Sequence, residues 1–205
     1  MSSSSPSRRS RVGGSDTATR RALIKATADV MLEEGYAAAT SRRVAARAGV
    51  KPALVHYYFP SMDDLFVAVF RAGAEATLQR QRNAFAGDRP LHALWELNST
   101  QGAQLFMEFM ALGNHRKAIR REIAAYAEQY GELEHAAVAT ALRAHGMDTE
   151  EFPPAAIAMI LTSVARIMLI EQNLGIERSH AAVREFVGRY LDRFDVPAGA
   201  HDADS

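Results

Sequence analysis

The chain has 205 residues, 48% hydrophobic and 23% charged, with no cysteine and a formal net charge of zero. That length supports one substantial core or two small ones, and the lack of cysteine excludes disulfides, thiolate metal sites and cysteine nucleophiles, as suits a reducing cytoplasm. The zero averages two unlike parts: residues 1–60 hold 10 Lys/Arg against 4 Asp/Glu, a net of +6, whereas residues 61–205 hold 14 against 20, a net of −6.

A basic N-terminal quarter on an acidic body points to a polyanionic partner for the first part alone. Residues 1–16, rich in Ser, Arg and Gly, are predicted to be a disordered basic arm carrying Arg8, Arg9 and Arg11. They lack the apolar run of a secretion signal. A first helix is predicted from about Thr19 to Glu34, with Ile24, Ala28, Met31 and Leu32 as its apolar stripe and Gly35 as its stop.

A short helix over about Arg42 to Ala48, capped by Thr40 or Ser41, ends at Gly49. The next opens at Pro52, where a missing N–H costs nothing, and ends at Phe59 before Pro60. Ser61 and Asp64 form a capping-box pattern, with Asp in the usual Glu position, for a long helix from Met62 to about Phe85. Helices are then predicted near Pro90–Ser99, Ala103–Leu112, Arg116–His145, Pro153–Asn173 and Ser179–Phe194, with residues 196–205 a disordered tail. Strand-like alternation is absent, so the predicted fold class is all-α. The apolar run Ala155–Ile170 contains Arg166 and falls short of the ~20 residues that span a bilayer. No membrane partner is expected, and the expected location is cytoplasmic.

Residues 41–59, SRRVAARAGVKPALVHYYF, read as two helices around a tight turn. Ala45 permits close approach, Gly49 carries the backbone through the turn, and Val44, Ala48, Val50, Val55 and Tyr58 form an apolar seam, which is a helix-turn-helix pattern. Helical phase puts Val55, Tyr58 and Phe59 inward and Pro52, Ala53, His56 and Tyr57 outward, toward a DNA major groove that admits one helix.

The order of a sixteen-residue first helix, Gly35-Tyr36 and then ATSRRVAARAGVKPALVHYYFPSMDDL resembles the TetR (tetracycline-repressor) family of bacterial transcriptional regulators over about residues 19–66. The resemblance implies a three-helix DNA-binding domain at 17–65 joined by a long fourth helix to an all-helical ligand-binding and dimerisation domain at 66–195. It implies DNA contacts from Thr40, Ser41, Arg42, Lys51, Pro52, Ala53, His56 and Tyr57. Arg42 falls where a side chain reaches a base edge, and a bidentate arginine–guanine pair is worth ~1–3 kcal/mol of discrimination. Two positions depart from the family pattern: His56 stands in place of a common tyrosine, and Met62 in place of a lysine that often touches phosphate. The arginine arm either lies along DNA or stays a solvated tail.

The expected partners are a double-stranded palindromic operator, a second copy of the chain and a small apolar or aromatic effector. Two half-sites place the reading helices ~34–36 Å apart or a multiple of that. The resemblance puts the dimer interface on the last two long helices, where Ala158, Leu161, Thr162, Ala165 and Met168 face Val183, Phe186, Val187 and Tyr190. In the middle of the body Trp95, Phe106, Met107, Phe109, Met110 and Tyr126, with Arg166, are the candidate ligand pocket. No cofactor or metal is expected, and no enzymatic activity. The alternative from another class is a helical metal-dependent oxidase, suggested by the Glu132-x-x-His135 and Glu177-x-x-His180 spacings, with Glu96 and Glu108 as further carboxylates; a helical interaction module without DNA binding is the other.

Overall fold

A computed structural model describes the backbone of residues 8–99 and 101–195 and the side chains of 17–99 and 103–195. The described residues are helical throughout: α1 (Arg8–Glu34), a 3-10 turn at Tyr36–Ala38, α2 (Ser41–Ala48), α3 (Pro52–Tyr58), α4 (Met62–Phe85), α5 (Pro90–Asn98), α6 (Gln101–Gly113), α7 (Lys117–Ala144), α8 (Pro154–Asn173) and α9 (His180–Asp195). Among them there is no strand. The expected tail at 196–205 lies outside the described residues, as do the side chains of Arg8, Arg9 and Arg11.

The first helix starts at Arg8 and not near Thr19. Once a helix is nucleated, each added residue gains a hydrogen bond for one fixed pair of dihedrals, so extension over arginine-rich sequence is far cheaper than initiation. The helix also turns a slightly different stripe inward than expected. Leu23, Ala26, Thr27, Val30 and Met31 are buried, with Ile24, Ala28 and Leu32 at the flanks. Thr27 tolerates burial because its hydroxyl donates to the Leu23 carbonyl at 2.8 Å.

Two compact units divide the chain: Met1–Arg71 with Glu108–Arg120, and Ala72–Met107 with Arg121–Ser205. The division falls later in α4 than the 65/66 boundary read from sequence, and the first unit takes in the C-terminal half of α6. Its core includes Val44, Val55, Phe59 and Leu65, together with Phe70, whose ring meets Phe109 edge-on at 5.2 Å. The backbone N–H of Tyr36 donates to Glu108 Oε2 at 3.0 Å, and Arg116 pairs with Asp63 in the first turn of α4.

In the second unit, Leu91, Leu94, Val138, Ala141, Leu142, Ala158 and Leu191 make one apolar cluster joining α5, α7, α8 and α9. Each of the leucines and Val138 contributes ~1.5–3 kcal/mol relative to exposure. Asp195, at the end of α9, accepts from the Leu91 and His92 amides at 2.9 and 2.8 Å and contacts His92 Nδ1. It thus satisfies donors in the first turn of α5, where Arg89 at the N-cap position supplies no side-chain acceptor.

Helix α8 is 20 residues long, longer than the run read from sequence, and by length and composition it is sufficient to cross a membrane. Its buried face carries Ala158, Thr162, Ala165 and Met168. Its opposite face exposes Met159, Ile160 and Ile167.

Candidate nucleic-acid interface

Local chemistry fixes the geometry of residues 40–65. Thr40 is the N-cap of α2, and its side chain accepts from the Arg43 amide at 3.2 Å. Gly49 ends α2 in the left-handed region, at φ 67°, with its N–H returned to Ala45 and Ala46 carbonyls. Lys51 then precedes Pro52 at the first turn of α3. At the far end the capping box forms in both directions. The Asp64 amide donates to Ser61 Oγ at 3.2 Å, and Asp64 Oδ2 accepts from the Ser61 amide at 3.0 Å and hydroxyl at 2.7 Å.

Val44, Ala45, Val55 and Phe59 are buried, with Ala48, Val50 and Tyr58 half-buried behind them. The outward face of α3 presents Pro52, Ala53, His56 and Tyr57, the last 72% exposed. The Tyr57 ring stands edge-on to Tyr58 at 5.0 Å, which limits its freedom without covering it. Met62 is half-buried at the start of α4, and Ser41 is half-buried at the start of α2.

The electrostatics are more selective than the sequence count. Arg43 forms a fork with Glu34, its Nε 3.0 Å from both carboxylate oxygens and its Nη2 2.7 Å from one. Arg47 binds Glu33 in the same way and reaches Glu34 at 3.3 Å. Hydrogen bonds from these arginines hold the Glu33 and Glu34 carboxyls below the ordinary range, and the guanidinium groups are held correspondingly more basic. Lys25 pairs with Asp29. Arg42 and Lys51 are exposed, and their side chains form no ion pair or hydrogen bond among the described residues. Unpaired cationic charge thus stands in the first turn of α2 at Arg42 and at the N-cap of α3 at Lys51, whereas Arg43 and Arg47 brace α2 against α1.

The body residues sort differently from their sequence assignment. Phe106, Tyr126 and Arg166 come together: the Phe106 and Tyr126 rings are 5.9 Å apart, and the Arg166 guanidinium lies 5.4 Å from the Phe106 ring. Trp95 instead packs on the apolar cluster. Phe109 belongs to the core of the first unit and Met110 is exposed, because α6 passes from one unit to the other between Met107 and Glu108. Met107 is half-buried. Arg166 donates from Nε to Asn98 Oδ1 at 3.0 Å.

Sequence reasoning missed Asn98, Tyr130 and Glu134 beside it. Tyr130 donates to the same Asn98 oxygen at 3.0 Å, and Asn98 Nδ2 lies 3.5 Å from Glu134 Oε1. Burial holds the Glu134 carboxyl up at about 7, against a smaller lowering by the Tyr130 hydroxyl and Arg166. Burial likewise raises the Tyr126 and Tyr130 phenols. The signal available was a polar or charged residue at a core phase: Asn98 lies four residues after Leu94, and Glu134 four before Val138.

Of the expected interface residues, Ala158, Leu161 and Val187 pack into the apolar cluster, and Thr162, Ala165 and Met168 are buried on the same side of α8. They are intrachain core, since small side chains suit close helix packing within one unit as well as between copies. Val183 is half-buried, whereas Phe186 and Tyr190 are exposed with their rings 4.8 Å apart. As for the metal-site spacings, His180 Nε2 pairs with Glu171 at 2.8 Å, while Glu177 precedes α9 and is exposed. Among the described residues no three His, Asp or Glu side chains gather as metal ligands.

A capped α2, a glycine turn and a proline-opened α3 with an exposed outward face define a helix-turn-helix DNA-binding protein. Residues 23–69 match the family model described as bacterial regulatory proteins, tetR family. The HTH-type transcriptional regulator BetI of Rhizobium meliloti (strain 1021) is 26% identical over 191 residues, covering 87% of this chain and 92% of that protein. Among solved structures, a TetR-family regulator from Rhodococcus sp. superimposes with a TM-score of 0.66 at 18% identity, covering 88% of this chain and 100% of that one. A transcriptional regulator from Saccharomonospora viridis, solved in complex with choline, gives 0.70 at 16% identity over 86% and 96% of the two chains. Residues 23–69 therefore carry the DNA-binding region of the tetR family, and over the rest of the chain the likeness to these structures is one of fold.

Proposed function

We propose that the protein is a ligand-responsive repressor that binds a palindromic operator as a homodimer in the cytoplasm and leaves it when a small apolar or aromatic effector binds the body. Pro52, Ala53, His56 and Tyr57 read the groove, with Thr40, Ser41, Arg42 and Lys51 around them. The effector acts through its different affinity for two body conformations, with coupling of ~1–3 kcal/mol as is typical between such sites.

The observation that carries the dimer is the apolar face left on α8 and α9. Met159 is 70%, Ile160 62% and Phe186 55% exposed, with Ile167 and Tyr190 also exposed. Isolated exposed apolar residues are ordinary, but a set recurring at helical spacing on two consecutive helices is the mark of an association surface. A two-fold pairing covers the same patch on both copies. The interface is therefore assigned to Met159, Ile160, Ile167, Phe186 and Tyr190.

The test combines selection of binding sites from random duplexes with light scattering of the full chain. The expected result is an enriched inverted repeat and a dimer mass that falls to the monomer mass in Met159→Glu/Ile160→Glu. A monomer that selects a single unrepeated site overturns the reading.

A further inference from the structure

The guanidinium of Arg166 is a charged group in the body that the fold uses only in part. Its Nε is committed to Asn98, and its Cζ lies over two rings, 5.4 Å from the centroid of Phe106 and 5.6 Å from that of Tyr130. Its two terminal nitrogens have no hydrogen bond or ion pair among the described residues. Glu134, the carboxyl in the same cluster, is turned to Asn98 and forms no ion pair with it. Asn98 is itself saturated: its oxygen accepts twice, and its amide donates to the Leu94 carbonyl at 2.9 Å.

A half-buried arginine anchored at Nε by a buried asparagine is an oriented fork. Two parallel N–H donors of fixed geometry match a carboxylate bidentately, and part of the entropy of holding the side chain has already been lost. The rings supply the rest of the discrimination. The Phe106 and Tyr130 rings make the surroundings of the fork aromatic and apolar. A quaternary ammonium also favours aromatic faces, but here the protein's own cation occupies them, and a second positive charge would have to displace it.

We infer that Arg166, flanked by Phe106 and Tyr130, binds the carboxylate of a small aromatic acid, so that the site takes aromatic monocarboxylates and not quaternary ammonium compounds. This rests on the ligand-responsive reading above only for its regulatory consequence; the binding itself stands apart from it.

The test is calorimetric titration of the full chain with benzoate and 1-naphthoate, with benzamide and 1-naphthamide as neutral matches, and with choline. The expected result is at least about tenfold tighter binding of an acid than of its amide, with no binding of choline. Arg166→Gln should lose the preference for acid over amide. Arg166→Lys, which keeps the charge and much of the volume, should retain part of it, and circular dichroism shows whether each variant is folded. Equal affinity for acid and amide, binding of choline in place of the acids, or no binding of either acid in the millimolar range overturns the inference.

Operator affinity, measured in parallel on the selected sequence, separates the two readings. Acids that bind through Arg166 yet leave DNA affinity unchanged uphold the site and sink the effector reading. Operator release by another compound, with the acids inert, does the reverse.

Discussion

The Tyr36 amide donates to the carboxylate of Glu108, 72 residues away, at 3.0 Å. One residue before it, Gly35 turns the chain at φ 80° at the end of α1, so this bond fixes the direction in which the backbone leaves for α2. A hydrogen bond to a charged acceptor is worth ~1.5–3 kcal/mol, more than a neutral one. Glu108→Ala is expected to destabilise the first unit by roughly 1–2 kcal/mol, and Glu108→Gln, which keeps an acceptor, by less. Urea melts of the three proteins check this, and equal midpoints would remove Glu108 from the account of how the turn is held.

Arg42 and its neighbour Arg43 are expected to behave oppositely toward DNA. Arg42→Ala should cost ~1–3 kcal/mol if the side chain pairs with a base edge, with relaxed selection at one half-site position. Arg43→Ala should leave the salt dependence of operator binding nearly unchanged, since that guanidinium is already neutralised by Glu34. Titrations on the selected duplex over a range of salt decide between them; a loss of about one unit of slope in Arg43→Ala contradicts the assignment.

Gly49 sits at φ 67°, and nothing lies within 4 Å of where a Cβ would be. The cost of Gly49→Ala is therefore backbone strain alone, about 1 kcal/mol, with no steric loss. Thermal melts should show that modest drop while operator affinity below the transition is kept. A collapse of binding in a folded variant would mean that the turn's approach to DNA, not its conformation, requires glycine.

Glu134 gives the body a pH dependence of definite sign. Its carboxyl is raised from the ordinary 4.5 to about 7 in the fold, chiefly by burial. Between those values the folded chain holds more of this proton than the unfolded one, so the contribution is fully present below 4.5 and is lost as pH rises through 7. Glu134→Gln removes the titration. The variant should therefore gain stability relative to the parent as the pH is raised across that window, and the difference should level off above it. Denaturant melts at several pH values on both sides of 7 measure this, and two parallel stability curves would place the proton elsewhere.

The parts of the molecule that could be read from sequence are those decided within a few residues. Thr40, Gly49, Pro52 and the Ser61–Asp64 box each act on backbone groups no more than four positions away. The division of the ring-rich segment into buried Val55 and Phe59 and exposed His56 and Tyr57 followed from helical phase alone. Helix α8 was less legible because almost every side is apolar. Ala158 and Ala165 are seven residues apart, as are Ile160 and Ile167 on the other side, so periodicity has no contrast from which to choose a face. Likewise, no spacing rule pairs Arg43 with Glu34 or brings Asn98, Glu134 and Arg166 to one place. Those meetings depend on how separate helices pack.

The carboxylate that closes the first turn of α5 comes from Asp195, 104 residues beyond Leu91. At a synthesis rate of roughly 5–20 residues per second, the nascent α5 waits on the order of ten seconds for that acceptor. The segments of the first unit are all made once Arg120 has been added. The order of emergence from the ribosome thus completes the segments of the reading head first, and leaves α5 as an unfinished helix until α9 has been made.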